Sequence, residues 1–170
     1  MFIYTTKTSI IKTNFLEKII DLLKETFSNC ELRSDESQKK AFLHTNYRIS
    51  YCMCNDHIVG FVLWWDFDSI IFVEYLCVAN NYQHNYIGSS LLDSLTTIRK
   101  MIVVEVAKDT GLEKFYKNNN YVYNKRKYDP IPLNNDSNVN NYYIFSYKRA
   151  LTNLEYSSFV RTIHLEEYQF

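Results

Sequence analysis

Residues 74–92 constrain the fold more than any other part of the sequence, because a strand, a polar loop and a helix start follow one another there. The first six residues are mostly apolar, the loop passes from Gln83 through Gly88, and Leu91 and Leu92 begin a helical apolar pattern. A helix start leaves backbone N–H groups without intrahelical partners, and the helix dipole adds positive charge there. The segment therefore predicts a site for a phosphate-type anion such as a pyrophosphate.

Length and charge limit the class of protein. A chain of 170 residues can form one domain with a substantial core, so we predict a single domain over 1–170, with a helical extension over 151–170. Lysine plus arginine and aspartate plus glutamate both number 19, which argues against nucleic acid and anionic membranes as partners. The sequence begins without a signal-peptide pattern, and no apolar run approaches ~20 residues, which favours a cytoplasmic protein.

The spacing of cysteine and histidine predicts no metal site. Cys30, Cys52, Cys54 and Cys77 match neither a disulfide scaffold nor a zinc-binding pair, and the histidines are scattered. We interpret the cysteines as buried or half-buried thiols. Only Cys77 lies near the predicted anion site, and because no base stands beside it in the sequence, it is not expected to act as a nucleophile.

Hydrophobic periodicity predicts a mixed α/β fold in which an antiparallel meander precedes a strand, the anion-binding loop, a helix, a buried strand and a short helix. The predicted strands cover 2–4, 49–54, 58–65, 70–78, 101–106, 121–128 and 142–148. Five helices are predicted. The first begins at a capping box of Asn14 and Glu17, the second covers 35–43 and the third follows Gly88. The fourth follows a capping box at 110–113, and the fifth begins at a capping box of Thr152 and Glu155. The asparagine-rich residues 134–141 are interpreted as a loop between two strands.

Two motifs within this order of elements resemble known signatures. Gln83-His-Asn-Tyr-Ile-Gly88 matches two of the three fixed positions of Gln/Arg-x-x-Gly-x-Gly/Ala, with Tyr86 in place of the first glycine. Residues 115–121 resemble the pattern FYxxxGF, with Asn120 in place of the glycine. The chain thus resembles the GNAT family of acetyl-CoA-dependent N-acetyltransferases over nearly its whole length, most sharply over 58–128. Its tail is similar to a bacterial branch of the family with a proline-containing strand and a C-terminal helix.

The resemblance implies a GNAT-like fold, in which helices flank a mixed, mostly antiparallel central sheet with a splayed pair of central strands. It also implies acetyl-CoA as co-substrate, no metal, and an amine acceptor that attacks directly in a ternary complex. The residues that it places against acetyl-CoA are Leu76, Cys77, Val78, Gln83, His84, Asn85, Tyr86, Ile87, Gly88, Ser89 and Phe115.

Two residues are candidates for proton transfer. An amine is mostly ammonium near neutral pH, so a base must remove a proton before attack, and Glu74 interrupts an otherwise apolar strand beside the predicted site. The alternative for Glu74 is a structural carboxylate paired with Lys108 or an arginine. The resemblance assigns Tyr116 as the acid that protonates the departing thiolate, and its alternative is simple packing.

We therefore predict an N-acetyltransferase that acts on a primary amine of a small molecule or peptide, as a monomer or homodimer. One alternative is a catalytically inactive acyl-CoA-binding sensor or interaction module, which the replacement of a loop glycine by Tyr86 favours. A weaker one is a scaffold, built around the C-terminal helix, that does not bind CoA. Trp64 and Trp65 are expected on opposite faces of one strand, where they pack or one of them lines the acceptor cleft.

Overall fold

Strands and helices account for most of the residues described by the computed structural model, which are 2–128 and 142–163. The strands are β1 (Ile3–Lys7), β2 (Tyr47–Cys54), β3 (His57–Asp66), β4 (Ile70–Val78), β5 (Met101–Ala107), β6 (Tyr121–Tyr123) and β7 (Tyr142–Tyr147). The α-helices are α1 (Thr13–Thr26), α2 (Asp35–Leu43), α3 (Ile87–Thr96), α4 (Leu112–Asn118) and α5 (Asn153–Thr162). In this part of the chain the strands form one sheet in the order β1-β2-β3-β4-β5-β7-β6.

The two central strands, β4 and β5, separate part of the way along the sheet. They are the one parallel pair among the described strands, and their pairing joins 70–73 to 101–104. Beyond Val73 and Val104 both strands continue, to Val78 and Ala107, without pairing to each other. The predicted mostly antiparallel sheet with a splayed central pair is therefore confirmed.

A β-bulge lies where β4 leaves β5. On the other side of β4, Leu63 pairs with Tyr75 and the next residue, Trp64, pairs with Val73, so that Glu74 is the extra residue in β4. A bulge of this kind bends the strand and increases its twist. The bulge therefore accompanies the divergence of the central strands and places Glu74 at it.

Two hydrophobic layers cover the two faces of the sheet. Helices α1, α2 and α5 enclose one layer, which includes Ile19, Phe42, Trp65 and Phe159. Helices α3 and α4 enclose the other, which includes Trp64, Leu91, Leu92 and Tyr116. Trp64 and Trp65 are on opposite faces as predicted, and because both are almost fully buried, packing is the role that their positions support.

Several local predictions are confirmed. Helix α2 and strand β4 have the predicted bounds. The turn between β2 and β3 has positive φ angles at Asn55 and Asp56, a conformation that asparagine and aspartate adopt more readily than most residues. Asn120 also has a positive φ, of 65°, where the family pattern has glycine.

Three other local predictions are wrong. Helix α1 begins after Lys12 without a side-chain cap, so Asn14 and Glu17 lie inside the helix instead of forming its capping box. Helix α4 begins after Gly111, whose φ of 78° makes the turn that the capping box at 110–113 was expected to make. The strand predicted over 121–128 ends at Tyr123. The predicted loop at 134–141 and the two prolines lie outside the described residues.

Asn124 is the residue that follows β6, and it is buried. Its N–H donates to Ile144 O (2.9 Å), its Nδ2 donates to Ser146 Oγ (3.0 Å), and its Oδ1 accepts from Leu151 N (2.6 Å). The buried side-chain amide therefore links the end of β6 to β7 and to Leu151, just before the start of α5. Helix α5 itself begins with the predicted capping box of Thr152 and Glu155.

Candidate functional site

The loop before α3 is shaped by its own side chains. Gln83 Nε2 donates to Val78 O (3.3 Å), and Asn85 Nδ2 donates to Gln83 O (2.9 Å). His84 and Tyr86 have φ angles of 62° and 59°, so left-handed residues alternate along the loop. Because the side-chain amides of Gln83 and Asn85 already form hydrogen bonds within the loop, its backbone N–H groups are the groups that are left to bind an anion.

The start of α3 presents backbone amides that the helix does not use. The hydrogen bond from Ser90 N to Tyr86 O (2.9 Å) closes the first turn, so the N–H groups of Ile87, Gly88 and Ser89 lie before it. The left-handed conformation of Tyr86 is the one that glycine adopts without strain, and here a tyrosine adopts it. The loop thus turns into the helix as the predicted anion site requires, with the Tyr86 side chain directed to solvent at 82% exposure.

Apolar residues connect this helix start to the open side of β4. A Cβ atom at Gly88 would lie 3.3 Å from Phe115 Cζ and 3.7 Å from Val78 Cγ2. Leu76, Val78 and Phe115 are half-buried and pack against the α3 layer. Three of the predicted cofactor-binding residues, Val78, Gly88 and Phe115, are therefore neighbours between the anion site and the strand divergence, and Leu76 packs against the same layer.

Close approach of α3 to the sheet depends on a glycine in β3. A Cβ atom at Gly60 would lie only 2.9 Å from Ile87 Cγ2, so a larger residue there would push the helix start away. Ile87 is buried by this contact. Its predicted contact with a ligand is consequently limited to its backbone N–H.

Tyr116 lies in α4 on the same side of the sheet as the anion site. Its ring packs against Phe115 and Tyr121, with centroid distances of 5.2 and 5.6 Å. Burial raises the pKa of Tyr116 above its ordinary value, which keeps the phenol protonated at neutral pH. A protonated phenol is a proton donor, so the position of Tyr116 suits the acid role as well as packing.

The Glu74 carboxylate is buried and fully hydrogen-bonded. Its side chain is 3% exposed, and its Oε1 accepts from Arg33 Nε (2.9 Å) and Arg33 Nη2 (2.8 Å). Its Oε2 accepts from the Tyr47 hydroxyl and from Trp65 Nε1 (3.1 Å). Of the two roles that the sequence left open for Glu74, the contacts of a structural carboxylate paired with an arginine are present.

Cys77 faces the opposite layer from its neighbours Leu76 and Val78. Its Sγ lies 3.0 Å from the Oγ1 of Thr26 in α1, and burial raises the pKa of the thiol to about 11. A thiol with so high a pKa is a poor nucleophile at neutral pH. The predicted contact of Cys77 with a cofactor is therefore restricted to its backbone.

Glu105 is a candidate that the sequence analysis missed. It lies in β5, it is half-buried, and its Oε1 accepts a hydrogen bond from the Tyr128 hydroxyl. Burial raises the pKa of Glu105 to about 7; the Tyr128 hydrogen bond lowers it and the negative charge of Glu74 adds to the increase. The sequence does contain a signal for Glu105, because it is the single acidic residue within the apolar run of 101–106. The same feature pointed to Glu74 in β4.

Two other kinds of feature are absent from the described residues, a metal-binding group and a membrane-spanning helix. Within 2–128 and 142–163, no group of three or more His, Cys, Asp or Glu side chains could hold a metal ion. The helices in these two ranges are all too short or too polar to cross a lipid bilayer.

The family follows from a direct sequence match. The sequence model of the acetyltransferase (GNAT) family matches residues 16–121, which is more than half of the chain and includes the loop, α3, β5 and α4. The chain therefore belongs to the GNAT family of acetyltransferases, as the sequence motifs predicted. No curated protein sequence matches the chain.

Solved structures show the same fold. A GNAT-family protein from Bacteroides thetaiotaomicron has a TM-score of 0.85 and 19% identity, with 100% of this chain and 99% of that chain covered. The ribosomal-protein-S18-alanine N-acetyltransferase of Escherichia coli has a TM-score of 0.64 and 13% identity, with coverage of 89% and 97%. PaiA N-acetyltransferase from Thermoplasma acidophilum, solved in complex with coenzyme A, has a TM-score of 0.63 and 16% identity, with coverage of 88% and 100%.

We expect Arg33→Met to destabilise the protein by about 3–5 kcal/mol, because it leaves the buried Glu74 carboxylate without its cation. Chemical denaturation measures this free energy of unfolding. A matched control is Lys24→Met, which breaks the exposed ion pair with Asp35, whose side chains are 49% and 55% exposed. The control should cost less than ~1 kcal/mol. Equal effects of the two substitutions would show that the Arg33–Glu74 pair does not stabilise the core.

Proposed function

We propose that the protein transfers an acetyl group from acetyl-CoA to a primary amine of a small molecule or peptide, by direct attack in a ternary complex. The observation that carries this proposal is the position of the α3 amides, which lie next to the unpaired part of β4 and the Tyr116-bearing helix. An anionic cofactor bound at these amides can reach the strand divergence along Val78 and Phe115. Coenzyme A in the Thermoplasma acidophilum structure supports the proposal.

The backbone supplies most of the proposed cofactor contacts. The pyrophosphate would accept hydrogen bonds from the N–H groups of Ile87, Gly88 and Ser89 at the positive end of α3. The pantetheine arm would lie along 76–78, where β4 no longer pairs with β5 and its edge groups are available for hydrogen bonds. Phe115 would cover the arm from the side of α4.

The proposed reaction needs one base and one acid. A base takes a proton from the ammonium, the amine nitrogen forms a bond to the thioester carbon, and the carbon–sulfur bond breaks with its electron pair on sulfur. We propose that Tyr116 gives its proton to this thiolate and regains one from the amide nitrogen or from water. The sequence predicted Glu74 as the base, but in this structure each of its two oxygens already accepts two hydrogen bonds.

We propose a primary amine as the acceptor. We also propose that the protein is cytoplasmic and acts as a monomer or a homodimer. The Escherichia coli neighbour acetylates an alanine of ribosomal protein S18, which is a peptide amine. Another neighbour, covering 76% of this chain with a TM-score of 0.57, is an aminoglycoside acetyltransferase. Both small-molecule and peptide amines therefore belong in a test.

The alternative proposal is an acyl-CoA-binding sensor without transferase activity. Tyr86 favoured it in the sequence, because a residue with a Cβ atom could have changed the path of the loop. The left-handed conformation of Tyr86, with φ 59° and ψ 8°, weakens this argument, because the loop has the conformation that glycine would adopt.

An amine panel tests the proposal directly. Acetyl-CoA is mixed with the protein and with spermidine, L-lysine, kanamycin or a peptide that begins with alanine, and free thiol and acetylated product are measured. We expect turnover with at least one amine and thermal stabilisation by acetyl-CoA. Stabilisation without turnover would favour the sensor, and neither effect would favour the scaffold.

We expect Gly88→Val to weaken acetyl-CoA binding at least tenfold while the protein stays folded. The valine side chain would occupy the space where Phe115 and Val78 approach the helix start, and it would stand between the α3 amides and the pyrophosphate. Calorimetric titration measures the affinity. Gly88→Ala is the matched control and should weaken binding less, because its Cβ alone lies 3.3 Å from Phe115 Cζ. Unchanged affinity in a folded valine variant would place the cofactor elsewhere.

We expect Tyr116→Phe to lower kcat and kcat/KM together, by about tenfold or more, while acetyl-CoA affinity stays the same. The substitution keeps the buried ring and removes only the hydroxyl, so it deletes an interaction with the sulfur that forms in the transition state. Steady-state kinetics and calorimetry on the same preparation separate the two quantities. A phenylalanine variant with unchanged kcat would leave Tyr116 with a packing role alone.

A further inference from the structure

We propose that Glu105, positioned by the Tyr128 hydroxyl, accepts the proton of the acceptor amine, and that Glu74 is a structural residue. This inference rests on the proposed acetyl transfer to an amine and assigns the base within that reaction. It follows from the different surroundings of two carboxylates that stand at the same point of the fold.

The two carboxylates stand at equivalent positions on the diverging strands. The parallel pairing of β4 and β5 ends with Val73 opposite Val104, so Glu74 and Glu105 are the first residues beyond it on their strands. Their charges interact, since Glu74 contributes to the pKa of Glu105. An acyl group that lay between the separated strands would therefore have a carboxylate on each side.

The hydrogen bonds of the two carboxylates differ. Both oxygens of Glu74 accept two hydrogen bonds each, from Arg33 and from Tyr47 and Trp65, which uses all four of its acceptor positions. Glu105 accepts from Tyr128 through Oε1, and no lysine or arginine in the described parts of the chain forms an ion pair with it. Glu105 Oε2 therefore has the capacity to accept a proton, whereas Glu74 would have to give up a hydrogen bond to do so.

The groups around Glu105 do not replace the missing cation. Arg33 binds Glu74 through two hydrogen bonds, so it is already committed to that carboxylate. The titratable groups that act on Glu105 are Tyr128, from the segment after β6, and Glu74, from β4. Glu74 is itself bound by Arg33 from the segment before α2, by Tyr47 from β2 and by Trp65 from β3. Among the described residues, Glu105 thus has a hydroxyl and no cation as its side-chain partner, and burial raises its pKa to about 7.

A base with this pKa suits the reaction, because a general base is most effective when its pKa lies near the working pH. The ammonium loses one proton to Glu105 Oε2, directly or through one water, and the neutral amine then attacks the thioester. After the carbon–sulfur bond breaks, the amide nitrogen has lost a second proton, which ends on the CoA thiol by way of Tyr116. Glu105 finally releases its proton to solvent, so the reaction yields amide, thiol and one proton.

The C-terminal part of the chain fixes Tyr128 in place. Its ring lies 6.2 Å from that of Phe159 in α5, centroid to centroid. Arg126 Nη2 donates to Leu151 O (3.2 Å) and the Tyr156 hydroxyl donates to Lys127 O (2.9 Å), which ties the segment before Tyr128 to α5. Helix α5 thereby holds Tyr128 in place, and Tyr128 in turn positions Glu105.

The pH dependence of kcat/KM tests the assignment, with the best acceptor of the amine panel as substrate. Wild type should show an acidic limb near pH 7, with activity that rises as Glu105 loses its proton. We expect Glu105→Gln to lower kcat/KM at pH 8 by about 10² or more and to remove this limb. Glu105→Asp should retain the limb at reduced kcat, and Glu17→Gln, on the exposed side of α1, should match wild type.

Two further variants should move the limb in opposite directions. Tyr128→Phe removes a hydrogen bond that lowers the Glu105 pKa, so the limb should move to higher pH. Glu74→Gln removes a negative charge that raises this pKa, so the limb should move to lower pH and persist. A limb that disappears with Glu74→Gln and persists with Glu105→Gln would overturn the proposal. If wild type acetylates no amine of the panel, the proposed function fails, and the base assignment fails with it.

Thermal unfolding provides a readout that does not depend on activity. Because the folded pKa of Glu105 lies above its ordinary value of 4.5, the folded state binds the proton more tightly and loses stability as the pH rises towards 7. Glu105→Gln removes this loss, so its melting temperature relative to wild type should be higher at pH 8 than at pH 5. A difference that is the same at both pH values would contradict the raised pKa and overturn the proposal.

Discussion

The early end of the parallel pairing between β4 and β5 is the feature on which the rest of the site depends. Four residue pairs join the strands, and beyond Val73 and Val104 the sheet opens. Three features meet at this opening, since the bulge at Glu74 bends one strand, α3 begins beside it, and α4 supplies Tyr116. A continuous ladder would leave neither free strand edges nor a gap between the carboxylates.

Electrostatics at the site come mainly from buried groups and backbone dipoles. The whole chain has no net charge, and the loop that precedes α3 contains no lysine or arginine, so an anion there depends on amide groups. On the opposite side of the opening, one cation, Arg33, is committed to Glu74. This asymmetry separates two otherwise equivalent glutamates, because Glu74 is held by a cation in a closed hydrogen-bond network, whereas burial raises the pKa of Glu105 to about 7.

Local patterns predicted the parts of this site that adjacent residues determine. The order of elements, the bounds of β4 and α2, the helix start after the loop and the left-handed Asn120 all follow from short-range signals. The Arg33–Glu74 pair spans 41 residues and the Tyr128–Glu105 bond spans 23, and no local pattern specifies which partner a buried carboxylate finds. The starts of α1 and α4 were predicted wrongly for another reason. These helices begin after Lys12 and Gly111, and neither residue caps its helix with a side chain.

A crystal structure of the protein with acetyl-CoA tests the central claim most directly. The account predicts the pyrophosphate within hydrogen-bond distance of the N–H groups of Ile87, Gly88 and Ser89, and the thioester between β4 and β5 beyond Val73 and Val104. It also predicts that Arg33 still binds Glu74 in the complex. A cofactor bound outside the strand divergence, or a pyrophosphate held by lysine and arginine side chains away from α3, would contradict the account.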